Sequence, residues 1–484
     1  MNIIDRRIGP IEVFSKNQLE EIHMGTLEVL RRTGVKITYP EAVSLLKHAG
    51  CWIEGDRVRI PAHLIEWAIE SAPKRIVLST REGDPSIFME GYKSYFGCGS
   101  DCVFVVDPYS GERREALLED TANFAKLVDA LPNMDFTMSM SVSHDVPESV
   151  ADILQFYTMA SNTIKPMVYA TWGPDNVKVI IEIAEIIAGG EEALQRNPFA
   201  ALFGCPISPL QYPDDTAAAL LYVAGKGLPY ISAPSALAGG TAPMTLAGAM
   251  VQINADMLTG LLLSQLKRKG APYILFSGCP NPMDMKTMIA SYASPEFLLF
   301  QAGLTQLQHY LNVPTFGTAG CSDSKLFDQQ AGIEGALSIF ISSLSGANLI
   351  HDVGYIEYGS TSSFEQVVVM DEVAGEARFF LKGIKTDRDQ LAIEVIDRVG
   401  PGGEYVTSDH TLSHFREGWS PSILGNRDTY ENWVEKGSQT LGERANQKVK
   451  EILDSHTPKP IAEDTKAKIE AIISAAEAKI GKKE

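Results

Sequence analysis

The chain of 484 residues is 45% hydrophobic and 21% charged, with 40 Gly and 26 Pro in no fixed period, which excludes collagen-like and disordered classes. Its 42 basic and 61 acidic residues give a net charge of -19; that field repels polyanions, so nucleic acid and anionic membrane are set aside and a cationic small molecule suits it better. Six Cys at irregular spacings predict reduced thiols in a cytoplasm.

The N-terminus, MNIIDRRIGPIEVF, has no apolar core after a basic start, so no signal peptide is expected. Residues 1–92 read as an N-terminal helical segment. Ser15 and Gln18 form a capping-box signature, Leu19, Ile22, Met24, Leu27 and Leu30 follow at helical spacing, and Gly34 supplies a stop. Pro40 to His48 and Pro61 to Glu70 read as two further short helices.

Residues 93–383 alternate between apolar runs and amphipathic helices. Eight runs stand out: Tyr95–Ser100, Phe136–Ser143, Pro166–Thr171, Phe199–Cys205, Leu228–Ala233, Ala271–Gly278, Val313–Ala319 and Asn348–Tyr355. Helical patterns such as Pro174–Ala188 and Gln329–Ser345 separate them. Near-continuous apolar strands are covered on both faces, so eight β-then-α units predict an α/β fold, a TIM (β/α)8 barrel. An open doubly wound sheet is the rival, but the Gly-x-Gly-x-x-Gly turn it favours is missing. The stretch Leu246 to Leu266 is broken by Gln252, Asn254, Asp256 and Gln265, and reads as a buried helix, not a membrane span. Residues 384–484 form a C-terminal helical extension, with Trp433, Leu441, Ala445, Val449 and Leu453 at helical spacing. Its final amphipathic helix reads as a lid or an oligomer contact, and a homo-oligomer is expected.

A barrel works at the C-terminal ends of its strands. His351 and Asp352, adjacent at one such end, can orient a ligand or move a proton near neutral pH and are the catalytic candidates. Asp101, Trp172, Phe316, Asp323, Lys325, Tyr355 and Glu357 are the substrate-binding candidates: rings attract a quaternary ammonium, and charges orient the rest. Tyr95, Phe96 and Tyr358 also fall at or near the mouth. Gly239, Gly240 and Thr241 precede a long helix, where backbone can approach a docked cofactor. Cys205, Cys279 and Cys321 lie at strand ends and could hold a zinc, although their separations match no local metal motif.

Longer motifs then become recognisable. Ser232 to Lys267, followed by Gly270-Ala-Pro, resembles the signature of the trimethylamine methyltransferase family, and Phe96–Ala116, Leu127–Phe136, Gly317–Gly332 and Gly346–Tyr355 fit its earlier and later parts. The resemblance implies a barrel that moves a methyl group from a methylated amine to the cobalt of a corrinoid carried by a separate small protein. Archaeal members that use trimethylamine carry pyrrolysine in the region of the segment Gly317–Gly332. This chain has only standard residues, so it is similar to the non-pyrrolysine branch, which demethylates quaternary amines.

Glycine betaine is the favoured substrate, with proline betaine, carnitine and γ-butyrobetaine as alternatives. Zinc-thiolate betaine:thiol methyl transfer and a non-catalytic betaine-binding protein are the other readings. A quaternary nitrogen leaves as a neutral amine without a general acid, so the cage is expected to be more aromatic than acidic. No Asp-x-His-x-x-Gly segment occurs, so no tightly bound cofactor is expected and cobalamin is expected from the partner.

Overall fold

The computed structural model describes residues 6–279, 281–416 and 422–480. At its centre are eight parallel strands: β1 (Tyr95–Gly97), β2 (Met134–Phe136), β3 (Met167–Tyr169), β4 (Ala200–Gly204), β5 (Tyr230–Ser232), β6 (Tyr273–Phe276), β7 (Thr315–Thr318) and β8 (Leu349–His351). Neighbours in sequence are neighbours in space. β8 pairs with β1, and a Thr137–Met167 bridge links the ends of β2 and β3, which closes the barrel. Seven of the expected apolar runs contain one of these strands, whereas the run Phe136–Ser143 meets β2 only at Phe136.

Each strand is followed by an outer helix: α1 (Leu118–Ala130), α2 (Ala151–Asn162), α3 (Pro174–Ala188), α4 (Asp214–Lys226), α5 (Leu246–Lys267), α6 (Pro295–Tyr310), α7 (Gln329–Ser345) and α8 (Phe364–Leu381). The starts and stops have local causes. Ser294, Asp328 and Ser363 cap α6, α7 and α8 with their side chains, and Gly189, Gly227 and Gly346 end α3, α4 and α7 in the left-handed conformation. The pleat then sorts the strands. Phe316, Thr318, Leu349 and His351 face the barrel interior, whereas Phe96 and Ile350 pack outward with Phe364 and Val367 of α8.

Residues 6–92 hold the three expected helices and also strands that the sequence did not announce. Ser15 and Gln18 form the capping box of Lys16–Arg32. Val35–Ile37, Trp52–Glu54 and Arg57–Arg59 make a small antiparallel sheet, joined in parallel by Gln211–Tyr212, and Ile76–Ser79 pairs with Pro85–Met89. Strands of three residues are too short to show a period-2 pattern. Gly34 does more than stop a helix: at φ +72° a Cβ there would clash with the Val58 carbonyl.

Among the described residues α5 is the one helix long and apolar enough to cross a membrane, but 72% of its window is buried inside the protein. Its Asp256 explains part of the burial of polar atoms. The carboxylate accepts from the Ser208 hydroxyl and the Leu210 N–H, both at 2.8 Å, and burial pushes it up to about 7. The native state therefore holds this proton more tightly than the unfolded chain, so the contribution of Asp256 falls as pH rises from its ordinary 3.8 towards 7. Asp256→Asn should flatten that slope in thermal melts. Asp256→Ala should lose about 1–3 kcal/mol by stranding two donors; identical pH profiles for wild type and Asn variant would sink the assignment.

Candidate active site

The ends of β1 and β8 carry the densest chemistry. Beyond β1, Asp101 sits in the mouth with its surface open to solvent, yet protein encircles it. Its carboxylate accepts the Tyr355 hydroxyl hydrogen, and that hydroxyl accepts N–H bonds from Ser100 at 2.6 Å and Asp101 at 2.9 Å. Burial raises the Asp101 carboxyl above its ordinary range, while the Tyr355 and backbone donors oppose the shift.

Beyond β8, Asp352 is buried, has φ +68° and leaves Oδ1 without a hydrogen-bond partner. A left-handed non-glycine residue with an orphaned buried oxygen is strain held by its surroundings, and such strain gathers at sites of function. Burial raises the Asp352 carboxyl well above its usual range, and the nearby Asp101 charge raises it further. Among the described residues neither carboxyl pairs with Lys or Arg; besides the Tyr355 hydroxyl on Asp101, the ionisable contact is His351 Nε2, 3.3 Å from Asp352 Oδ1.

His351 Nδ1 lies 3.0 Å from the Gly317 carbonyl oxygen, which can only accept. The ring proton is therefore assigned to Nδ1, and Nε2 presents a lone pair towards Asp352. Burial lowers the His351 pKa to about 3, so the ring is neutral. It rests on three interior rings, with centroids 4.4 Å away for Phe316, 5.5 Å for Phe276 and 5.6 Å for Phe203. Phe203 is only half-buried and offers ring surface to the mouth. The result is two carboxyls and a tyrosine above an aromatic floor. A diffuse organic cation satisfies both layers.

Of the residues expected from sequence, the structure brings together Asp101, His351, Asp352 and Tyr355, with Phe316 beneath. The others lie elsewhere. Asp323 accepts from the Tyr292 N–H at 2.9 Å and from the Ser291 hydroxyl, and Lys325 donates to the Asp323 carbonyl at 2.8 Å. Both line a separate groove of about 530 Å³ with Met283, Met285 and Tyr358. Glu357 is held by Arg113 at 2.8 Å and by the Thr361 hydroxyl. Trp172 is exposed, and its backbone N–H donates to Asp152 at 2.9 Å. Tyr95 packs in the interior core, and Phe96 turns outward under Arg378, so neither ring reaches the mouth.

The loop at Gly239, Gly240 and Thr241 spends its amides internally. Gly239 donates to Ala242, and Gly240 and Thr241 both donate to Leu237, so these groups are not free for a docked ligand. The thiols are also engaged separately. Cys279 donates to Asn281 and Cys321 to the Tyr292 carbonyl, and burial pushes the Cys205 and Cys279 thiols up to about 12. Among the described residues no three His, Cys, Asp or Glu side chains converge to hold a metal ion, which leaves the zinc-thiolate alternative without a ligand set.

Phe203 and Phe276 escaped sequence reasoning because each is one more apolar residue inside an apolar run. Their positions next to a strand end were the available signal. Gly99 was also missed. A Cβ built there would clash with the Tyr355 hydroxyl and Asp352 Oδ1 together, so Gly99→Ala should displace both oxygens. Displacements of this kind give roughly tenfold or larger losses in activity; unaltered kcat/KM would mean that neither oxygen positions substrate.

A sequence profile described as trimethylamine methyltransferase (MTTB) matches residues 1–481. The chain is 34% identical over 470 residues to a trimethylamine methyltransferase of Desulfitobacterium hafniense, covering 97% of this chain and 94% of that one. It is 31% identical to a glycine betaine methyltransferase from another strain of that species, covering 96% of each. A trimethylamine methyltransferase of Methanosarcina thermophila is 30% identical, covering 94% of this chain and 95% of its own length. Among solved structures, the monomethylamine methyltransferase of Methanosarcina barkeri matches with a TM-score of 0.45 and 14% identity, covering 91% of this chain and 94% of that one.

Proposed function

The chain belongs to the trimethylamine methyltransferase family, and from that premise we propose that it moves a methyl group from a quaternary amine, glycine betaine first, to the cob(I)alamin of a separate corrinoid protein. It is a methyltransferase of the corrinoid-dependent class. The observation that carries the finer reading is the carboxyl pair, Asp352 buried and Asp101 open at the mouth, which among the described residues has no Lys or Arg counter-charge and stands over Phe203 and its neighbouring rings.

The methyl acceptor is itself a strong nucleophile, so the chain has no nucleophile to activate. Its own residues bind, orient and exclude water. The aromatic floor holds the methylated face of the ammonium, and the carboxyls balance its charge. The nitrogen becomes neutral as the methyl leaves, so a full negative charge beside it would favour the ground state and slow transfer. Burial tempers this, because it disfavours the charged form of both carboxyls. The site is thus more acidic in residue type than the sequence led one to expect. A betaine carboxylate would point out of the mouth towards solvent, since among the described residues no Lys or Arg pairs with these carboxyls.

A quaternary substrate needs no proton to leave, which separates it from the methylamines. A tertiary amine leaves as a neutral secondary amine only if its nitrogen keeps a proton in the site, because the free base would have to expel an amide anion. Among the described residues no buried acid is placed to hold that proton on it. Tri-, di- and monomethylamine should therefore give negligible turnover, whereas glycine betaine or a related betaine yields its tertiary amine, detected by proton NMR. Robust trimethylamine demethylation by the pure protein would overturn the quaternary assignment.

A further inference from the structure

Tyr292 stands in the loop between β6 and α6, just before Ser294 caps that helix. Its backbone is clamped from the loop after β7. The N–H donates to Asp323 at 2.9 Å, and the carbonyl accepts from the Cys321 thiol at 3.3 Å. The Ser291 hydroxyl donates to the same Asp323 carboxylate. Behind this clamp Glu334 of α7 accepts from the Ser322 hydroxyl at 2.6 Å and from the Asp323 N–H at 2.9 Å. Asp323 and Cys321, which the sequence offered for substrate and for zinc, thus hold one tyrosine in place.

The ring of that tyrosine belongs to the mouth. Ser291 and Ser294 line the outer groove with Asp323 and Lys325, whereas the Tyr292 ring turns to Gly359. A Cβ built on Gly359 would sit 3.3 Å from the Tyr292 ring and 3.5 Å from the Tyr355 ring, so the two phenols flank one glycine. Burial raises the Tyr292 phenol well above its ordinary value, and the Asp101 and Asp352 charges raise it further. The hydroxyl therefore lies within the field of the carboxyl pair and keeps its proton. Tyr355 donates its own hydrogen to Asp101. Tyr292 is half-buried, and among the described residues its hydroxyl makes no hydrogen bond.

Granted the quaternary-amine substrate proposed for the chain, we propose that Tyr292 is a specificity-determining residue that touches it: the ring walls the ammonium beside Tyr355, and the hydroxyl donates to the carboxylate of a betaine. A neutral donor suits this mouth. A Lys or Arg placed there would pair with Asp101 or Asp352 and cancel the charge that attracts the ammonium. A phenol donates to a carboxylate without doing so. A carboxylate pointing out of the mouth passes the half-buried edge where this hydroxyl sits. Asp323 is then a positioning residue, acting through the Tyr292 backbone.

Calorimetric titration of the pure protein with glycine betaine and, separately, with tetramethylammonium tests this without corrinoid or turnover. Both probes carry a methylated ammonium, and only the first carries a carboxylate. Tyr292→Phe keeps the ring and removes a hydroxyl that bonds to nothing in the protein, so the fold should be unchanged in thermal melts. It should weaken glycine betaine about tenfold or more, the loss of a hydrogen bond to a charged group, and leave tetramethylammonium unchanged. Tyr292→Ala should weaken both. Asp323→Ala should erode the preference for glycine betaine as Tyr292→Phe does, which a mere loss of stability would not do. Equal glycine betaine binding by wild type and Tyr292→Phe, or an equal loss for both probes, overturns the proposal and leaves the quaternary-amine reading standing. Binding of neither probe by the wild type overturns both.

Discussion

Asp352→Asn is expected to lower kcat/KM for a quaternary amine about a hundredfold while leaving the barrel folded. Asparagine has the same shape and tolerates the φ of +68° that Asp352 adopts, so the backbone need not move. What is lost is one of two carboxyls facing the cation. Contacts to a charged group contribute about 1.5–3 kcal/mol, and each 1.4 kcal/mol is a factor of ten. The pH profile supplies a second reading. Asp101 and Asp352 are both raised above the ordinary carboxylate range, so on the acid side the pair holds protons that the cation must compete with. Wild-type kcat/KM should rise with pH as the pair ionises, and Asp352→Asn should rise less steeply. Unchanged kcat/KM in the variant would return Asp352 to a purely structural role.

His351→Ala should be worse, and for two reasons at once. From sequence alone the residue looks like a ligand-orienting group whose loss spares the fold. In the structure it is 4% exposed and packed against Phe203, Phe276 and Phe316. Truncation leaves a cavity in the floor, which costs about 2–4 kcal/mol of stability by comparison with other large-to-small core changes. It also frees Phe316 and removes the neighbour of Asp352, so methyl transfer should fall about a hundredfold or more, as misplaced groups do.

His351→Gln separates the effects, because it restores volume and one hydrogen-bonding group. The pH dependence has a definite sign. With its pKa lowered from 6.5 to about 3 in the folded state, the unfolded chain binds more protons between those values, so stability falls as pH drops through that window. The alanine variant should lack this part of the slope. An alanine variant with wild-type stability and turnover would contradict the placement of the ring.

The fold was legible because its signal repeats: eight apolar runs, each followed by a helix, need only periodicity to be read. The small strands before the barrel were not, since Val35–Ile37 and Arg57–Arg59 are shorter than any alternation. The site was legible in part. His351 and Asp352 stand adjacent at a strand end, and Asp101 and Tyr355 follow two strands that pair directly, so position pointed to all four.

The remaining candidates shared composition with the site but not convergence. Glu357 is claimed by Arg113, Asp323 by Ser291 and Tyr292, and the Gly239–Thr241 loop by its own carbonyls, and such partners are long-range or conformational. Phe203 and Phe276 went unnoticed for the opposite reason: inside an apolar run a floor residue looks like any core residue.

Free cob(I)alamin, prepared anaerobically and mixed with the pure protein and a panel of quaternary amines, provides the most direct measurement. The spectrum should change from cob(I)alamin to methylcob(III)alamin with glycine betaine or a related betaine, should stay unchanged with tri-, di- and monomethylamine, and should respond far more slowly with Asp352→Asn. Methylation of the corrinoid by trimethylamine, or none with any quaternary amine even when the cognate corrinoid protein is supplied, would contradict the account.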